Sequence, residues 1–469
     1  MQTKDTYEFG LVGLGVMGRN FILNVAENGF SALGYDLMPE KAEALREEGA
    51  AVGKVAASSD LNEFITALAK PRKIMLLVPA GKIVDQVIED LLPKLDTGDL
   101  IIDGGNSHFR DTDRREAYLK SKGIYFIGAG VSGGAEGARR GPSIMPGGAQ
   151  EVYPEIQPIF EAVAANYAGS PCVAYLGPGS AGNYVKMVHN GIEYGMMQLT
   201  GECYQILAQL GGFDNSEIRT VFERWNQGRL QSFLVEITSE IFGKEDPMGT
   251  GELIDKILDK ARQKGTGKWT SQNGMDLGIP VPTIDISVSM RAISAFKTKR
   301  EEAEKRYKKP AVSLVDKNLL EALCEPSLYF AFLMTYAQGL HQLREASNEY
   351  GYNLNLATIS EIWRAGCIIR AGVLDDIASA FKEEAALEHL LLSGEFTERI
   401  TACIPTVRKL VSKAIESGIP VPALSASLSY FDAFTTGRLP MNLIQAQRDY
   451  FGSHTYERTD REGSFHTEW

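Results

Sequence analysis

The stretch from Tyr7 to Gly18, Tyr-Glu-Phe-Gly-Leu-Val-Gly-Leu-Gly-Val-Met-Gly, leaves the chain few folds to choose from. A short apolar strand runs into Gly13-x-Gly15-x-x-Gly18, a helix is predicted from Arg19 to Asn28, and a second strand from Ser31 to Tyr35. Strand, glycine loop, helix and strand in that order open a doubly wound parallel sheet. Each glycine has its own task. Gly13 permits a tight turn, Gly15 lets the backbone approach a pyrophosphate, and Gly18 lets helix and strand pack closely, with the helix N-terminus facing the anion. Asp36 ends the second strand about 20 residues past the loop, where a carboxylate accepts hydrogen bonds from a ribose. A dinucleotide is therefore expected along Gly13, Leu14, Gly15, Val16, Met17, Gly18 and Asp36.

The alternation continues through predicted strands at Lys73–Pro79, Leu100–Asp103 and Tyr125–Gly128. Each opens into a loop of small residues, and doubly wound sheets bind ligands at these strand ends. Asn106 and the Ser132-Gly133-Gly134 turn are thus candidate ligand contacts. After about Pro178 strand-like runs thin out and helical periodicity takes over to about Gly437. The reading is an α/β Rossmann-type domain over 1–178, an all-helical domain over 179–437 and a tail over 438–469. Within the helical part Met196, Gly201, Glu223, Trp225 and Gly228 recur 138 residues on as Met334, Gly339, Glu361, Trp363 and Gly366, which points to internal duplication.

The chemistry concentrates in Gly182 to Tyr194. On a helix Lys186, Asn190 and Glu193 stand at i, i+4 and i+7 on one face, with His189 beside them. Val185, Met187, Val188 and Ile192 make the same helix apolar elsewhere. A buried helix with a base, an amide and an acid in one stripe turns that stripe toward a pocket, because unpaired buried charges are costly. The second copy carries Cys324, Leu328 and Ala331 at the equivalent places, which suits packing.

A formal net charge of −12 argues against general nucleic-acid affinity, so an anionic ligand has to be held by local cations. Gln263-Lys-Gly-Thr-Gly-Lys-Trp-Thr270 reads as a basic glycine loop suited to that task, and Arg291 on a predicted helix can add a guanidinium. The polar tail is dense in aromatic and basic residues around Arg448 and His454, and a tail of that kind docks on something. Five scattered cysteines without a C-x-x-C pair, no apolar run of membrane-spanning length and an N-terminus (Met1 to Asp5) without a signal-peptide layout point to the cytoplasm.

Together these motifs resemble the decarboxylating 6-phosphogluconate dehydrogenases of the β-hydroxyacid dehydrogenase superfamily, over nearly the whole chain. The resemblance rests on Gly-Leu-Gly-Val-Met-Gly, Asp-Gly-Gly-Asn-Ser, Val-Ser-Gly-Gly-Ala-Glu-Gly-Ala-Arg and Lys-Met-Val-His-Asn-Gly-Ile-Glu-Tyr. It extends through Gln-Lys-Gly-Thr-Gly-Lys-Trp-Thr and Gln-Arg-Asp-Tyr-Phe-Gly-Ser-His-Thr-Tyr. It implies oxidative decarboxylation of 6-phosphogluconate to ribulose 5-phosphate in the pentose phosphate pathway, with Lys186 as general base and Glu193 as general acid. It further implies substrate contacts from Asn106, Ser132, Gly133, Gly134, His189 and Asn190. It implies as well a phosphate site of Tyr194, Lys264, Thr266 and Arg291, completed by Arg448 and His454 from the partner of a homodimer. Cofactor contacts would include Val78, Pro79, Ala80 and Asn106, and no metal is implied. Many members place an arginine after the second strand and a lysine in the later turn, to meet the 2′-phosphate of NADP. Here Asp36-Leu37-Met38 and Val78-Pro79-Ala80-Gly81 stand instead, so NAD is the expected cofactor over NADP. A dehydrogenase for an unphosphorylated hydroxyacid leaves the second helical copy and the basic tail unexplained, and a dinucleotide-binding sensor leaves Lys186 with Glu193 unexplained.

Overall fold

Seven short strands form the sheet of the N-terminal half: β1 (Phe9–Val12), β2 (Ala32–Tyr35), β3 (Val55–Ser58), β4 (Lys73–Leu76), β5 (Leu100–Asp103), β6 (Tyr125–Val131) and β7 (Ile144–Gly148). The structure is a computed structural model describing residues 6–384 and 386–469; the N-terminal segment Met1 to Asp5 read for a signal layout lies outside them. The order is β3-β2-β1-β4-β5-β6-β7, parallel up to β6, with β7 antiparallel at the edge. The strand order reverses at β1, between β2 and β4, where a doubly wound sheet opens a ligand crevice. β3 and β7 are additional to the strands expected from sequence. Ile-Met-Pro-Gly-Gly reads as a turn, yet at a sheet edge Pro146 can face Ala129 because its missing N–H has no ladder partner to lose.

The helical half is built on two long helices, Ala181–Gly211 and Lys317–Tyr350, packed along each other. Each is followed by the same sequence of elements: Asn215–Trp225 and Phe233–Phe242 after the first, Leu356–Ile362 and Val373–Glu383 after the second. Farther on, Pro282–Ser294 corresponds to Pro422–Phe434, and here the duplication is plainest. Gly278-Ile-Pro-Val-Pro282 recurs as Gly418-Ile-Pro-Val-Pro422, with Gly278 and Gly418 at φ +70° and +67° and the capping Val281 and Val421 at −127° and −131°. The copies also cap each other. Glu202 accepts from the N–H groups of Ala423 and Leu424 (2.8 and 2.9 Å), and Gln338 accepts from that of Thr283 (3.0 Å). Cys324, Leu328 and Ala331 are fully buried, in keeping with a packing role for the second copy.

Glycine decides how the halves meet. A Cβ on Gly182 would lie 2.3 Å from the carbonyl oxygens of Gly128 and Met145, and one on Gly130 would lie 2.3 Å from Lys186 Cβ. With hydrogen in those places the long helix lies flush on β6 and β7, and Lys186 comes to the C-terminal end of the sheet.

The tail forms a helix (Met441–Gly452) and a small hairpin of Tyr456–Glu457 with Ser464–Phe465. Both are tied to buried Asp449, which accepts from the Thr455 and Thr467 amides, Trp469 Nε1 and His466 Nδ1 at 2.8–3.0 Å. Burial pushes that carboxyl up, but these four donors outweigh it and hold it at about 2. All five cysteines are buried and unbridged, and no helix among the described residues is long and apolar enough to cross a membrane.

Candidate active site

The three glycines of the first loop differ in their surroundings. Gly13 has φ +99°, and a Cβ there would lie 2.6 Å from the Leu77 carbonyl; on Gly18 it would lie 1.9 Å from the Gly13 carbonyl. At Gly15 it would meet nothing within 4 Å. The open face lies at the N-terminus of the helix Val16–Glu27, whose first N–H groups have no side-chain cap. This is the space and polarity a pyrophosphate needs. Beside it, Gly13, Asp36 and Val78 line a narrow apolar slot of about 130 Å³ with Tyr35, Leu61 and Ile83. Asp36 accepts from the Leu14 and Met38 amides (2.8 and 3.1 Å) and pairs with Lys41 at 3.4 Å. Leu37 and Met38, which follow it, are exposed apolar residues.

A second, larger cleft of about 570 Å³ begins at Met17, in the first turn of the helix after the glycine loop, and runs between the two halves. Asn106, Ser132, Gly133, Gly134, Lys186, Asn190, Glu193, Tyr194, Lys264, Thr266 and Arg291 all line it. Asn106 is presented by a loop braced from below. The buried Asp103 carboxylate accepts from Ser107 Oγ (2.7 Å) and the Gly105 amide (3.0 Å), and Asn183 Nδ2 donates to the Gly105 carbonyl (3.3 Å). Gly133 and Gly134 take the left-handed conformation (φ +106° and +64°) that turns the chain out of β6.

Lys186 is 5 % exposed, and burial, offset in part by Glu193, lowers its ammonium to about 8. Its Nζ donates to Asn190 Oδ1 at 2.8 Å, and the Asn190 amide nitrogen donates to Thr266 Oγ1 at 3.1 Å. Because Oδ1 can only accept, His189 Nδ1, 3.0 Å away, carries a hydrogen, and Nε2 is left to accept from the Ser132 hydroxyl at 3.2 Å. Burial, with Lys186 adding to it, drives this histidine well below its ordinary range, so it is neutral. His189 is completely covered and stands behind Ser132 and Asn190. Glu193 is raised by burial against the pull of Lys186 and Arg291, which favours its protonated form.

The stretch read as a basic glycine loop is a loop only as far as Gly265. Gly265 sits at φ +110° and caps a helix, Thr266–Leu277, so Thr266 and Lys268 belong to that helix. The left-handed glycine ends the loop within one residue, a change of direction that composition does not reveal. The guanidinium carbon of Arg291 stands over Tyr194, 3.4 Å from the ring centre, and Arg291 donates to the Arg262 carbonyl at 3.1 Å. Gln263, at the start of that stretch, lines the cleft as well, and so do Arg262 and Ile368, which lie outside the residues read from sequence. For Ile368 no local signal exists, since it arrives from the second helical copy. Arg448 and His454 do not line this chain's cleft; both are exposed on the tail.

A crevice built for a dinucleotide, opening onto a cleft with a buried lysine and a half-buried carboxyl, defines a dinucleotide-dependent oxidoreductase. Residues 8–177 match the NAD binding domain of 6-phosphogluconate dehydrogenase, and residues 182–469 match the 6-phosphogluconate dehydrogenase C-terminal domain. The chain is 50 % identical to the decarboxylating 6-phosphogluconate dehydrogenase of Lactococcus lactis, over 98 % of both chains. It is 49 % identical to the NADP(+)-dependent decarboxylating enzyme of Bacillus subtilis, over 98 % of this chain and 99 % of that one. The solved 6-phosphogluconate dehydrogenase of Plasmodium falciparum superposes with a TM-score of 0.95 at 45 % identity, over 98 % of this chain and all of that one. The protein belongs to the decarboxylating 6-phosphogluconate dehydrogenase family.

Proposed function

We propose that the chain oxidises 6-phosphogluconate at its C3 hydroxyl and releases the C1 carboxylate as CO2, yielding ribulose 5-phosphate, with NAD preferred over NADP. The observation that carries this is the stripe of buried Lys186 and Asn190 with half-buried Glu193, at the junction of the dinucleotide crevice and a cleft holding Lys264 and Arg291. The glycine loop and the helix starting at Val16 would hold the pyrophosphate, and Asp36 the adenosine ribose. Bound there, the nicotinamide supplies the hydride acceptor.

Neutral Lys186 takes the C3 hydroxyl proton as the C–H bond is broken. In the resulting β-keto acid the C1–C2 bond breaks, its electrons move to the C3 ketone oxygen, and protonated Lys186 returns its proton to that oxygen. Glu193, whose protonated form burial favours, then delivers a proton to the carbon that becomes C1 of the product while Lys186 takes the enol proton back from the C3 oxygen, leaving the ketone. Asn106, Ser132 and Asn190 orient the carboxylate and hydroxyls, with His189 acting on them through its bonds to Ser132 and Asn190. Tyr194, Lys264, Thr266 and Arg291 take the phosphate.

The preference for NAD is supported by the carboxylate of Asp36, which repels a 2′-phosphate, and by the apolar Leu37 and Met38 after it. Lys41 offsets that repulsion without supplying a guanidinium fork. Arg448 and His454 are read as belonging to the cleft of a second copy, which also gives the exposed Tyr450 and Phe451 beside them a surface to cover. Five buried free thiols support a cytoplasmic setting.

Initial rates with 6-phosphogluconate and either dinucleotide test the reading. Higher kcat/KM with NAD supports it; a preference for NADP keeps the reaction but overturns the role given to Asp36; no turnover with either overturns the reaction. Truncation after Leu443 is expected to weaken substrate binding and leave dinucleotide binding nearly intact; unchanged substrate binding refutes the shared-site reading, and equal loss of both points to unfolding instead.

A further inference from the structure

The two Trp-centred turns of the duplication are equivalent in sequence but not in what they touch. Trp225 is buried against Phe222, with ring centres 5.0 Å apart, inside the helical core. Trp363, 138 residues on and completely buried, stands edge-on to His189 at 5.6 Å and 74°. Its Nε1 is buried without a hydrogen-bond partner among the described residues, an arrangement that costs stability and therefore calls for an explanation. The turn it starts is latched to the dinucleotide-binding half at two points. Ser143 Oγ donates to the Ile362 carbonyl (2.7 Å), and the Ser143 amide donates to the Gly366 carbonyl (2.8 Å). Gly366 at φ +68° leaves no room for a Cβ, which would lie 2.6 Å from the Gly141 carbonyl. Cys367 ties the turn internally by donating to the Trp363 carbonyl at 3.0 Å, and the next residue, Ile368, lines the cleft.

We propose that Trp363 is a positioning residue for the reaction. It is the wall that holds the His189 ring against Ser132 and Asn190, and through Asn190 it holds the Lys186 amine in line with the substrate hydroxyl. The second helical copy, which lost or never had the stripe of Lys186, Asn190 and Glu193, thereby serves the site of the first. The inference rests on the function proposed above, with Lys186 as base. Without the indole, His189 gains room to rotate, its bonds to Ser132 and Asn190 and its 3.4 Å contact with Lys186 Nζ loosen, and Asn190 loses one of the two donors that fix its oxygen.

The duplication supplies the control. Trp363→Leu and Trp225→Leu remove the same side chain from equivalent core positions and should lower the thermal midpoint similarly. Only Trp363→Leu should lower kcat, by about 10²-fold for a loss of alignment of this kind, with KM for the dinucleotide unchanged. Trp363→Phe, which keeps an aromatic face toward His189, should fall between. Should either leucine variant not fold, the Trp363→Phe and Trp225→Phe pair carries the same comparison. Wild-type kcat in the folded Trp363 variants, or an equal fall in both members of the pair, overturns the proposal. Turnover by the unmodified enzyme, measured first, separates failure of this inference from failure of the functional reading.

Discussion

Lys186 offers the most direct test, because its neutral form has to exist at working pH. Burial brings its ammonium from 10.5 to about 8, a difference worth about 3 kcal/mol. At pH 7 such a lysine is neutral in roughly one molecule in ten, against roughly one in 3,000 for an ordinary lysine, so burial enlarges the population of active base about 300-fold. In kcat/KM against pH, activity should therefore rise tenfold per pH unit on the acid side and level off near pH 8. Glu193→Gln perturbs this in a known direction. Where Glu193 is ionised, its charge works against burial and raises Lys186. Its removal should move the inflection to lower pH, even though protonation of the product carbon is impaired. Stability runs the opposite way. The folded value is below the unfolded one, so the cost of holding Lys186 is present in full below about pH 8 and disappears as pH rises toward 10.5. Lys186→Met should thus lack oxidative activity and yet, at pH 7, recover up to about 3 kcal/mol by denaturant unfolding, less the lost bond to Asn190. A profile level between about pH 6 and 9, an inflection near 10, or an upward movement in Glu193→Gln would refute the assignment.

Asp36→Asn keeps an acceptor for the Leu14 amide while removing the charge, and should narrow the ratio of NAD to NADP kcat/KM by about tenfold, or 1.4 kcal/mol. Gly182→Ala forces a methyl against two carbonyl oxygens at 2.3 Å and should cost about 1–3 kcal/mol in urea unfolding, while Gly15→Ala, whose Cβ meets nothing, should leave stability intact and weaken dinucleotide binding. Arg262 projects from the loop that Arg291 fixes through the Arg262 backbone carbonyl, so Arg262→Ala keeps the loop and removes one exposed charge. KM for the phosphorylated substrate should rise about two- to fivefold, with an effect that fades in high salt.

Much of the site was legible because it depends on local geometry. The spacing of Lys186, Asn190 and Glu193 puts them on one helical face whatever surrounds the helix. The first-loop glycines are dictated by backbone approach, and the structure gives each the surroundings its task requires. What could not be read is equally specific. Pro146 and two glycines disguised β7, because a proline is tolerated at an edge and not in a general strand. The Gly-Ile-Pro-Val-Pro repeat lies at an offset of 140, two residues from the offset of the tryptophans, so a search at one fixed spacing passes over it. Thr266 looked like a loop residue because the left-handed turn at Gly265 that starts its helix is a property of one φ angle.

By itself the sequence determined the order of strand, loop and helix, the face on which the reactive groups stand, and the presence of a second helical copy without them. These follow from periodicity and from the backbone freedom of single residues, which act over a few positions. Only the tertiary structure decided that Lys186 is buried enough to be half neutral near pH 8, that His189 is covered and neutral, and that Ser132, Thr266 and Ile368 meet at one cleft. Those outcomes depend on desolvation and on contacts between segments far apart in the chain, and neither exists until the two halves have closed on each other.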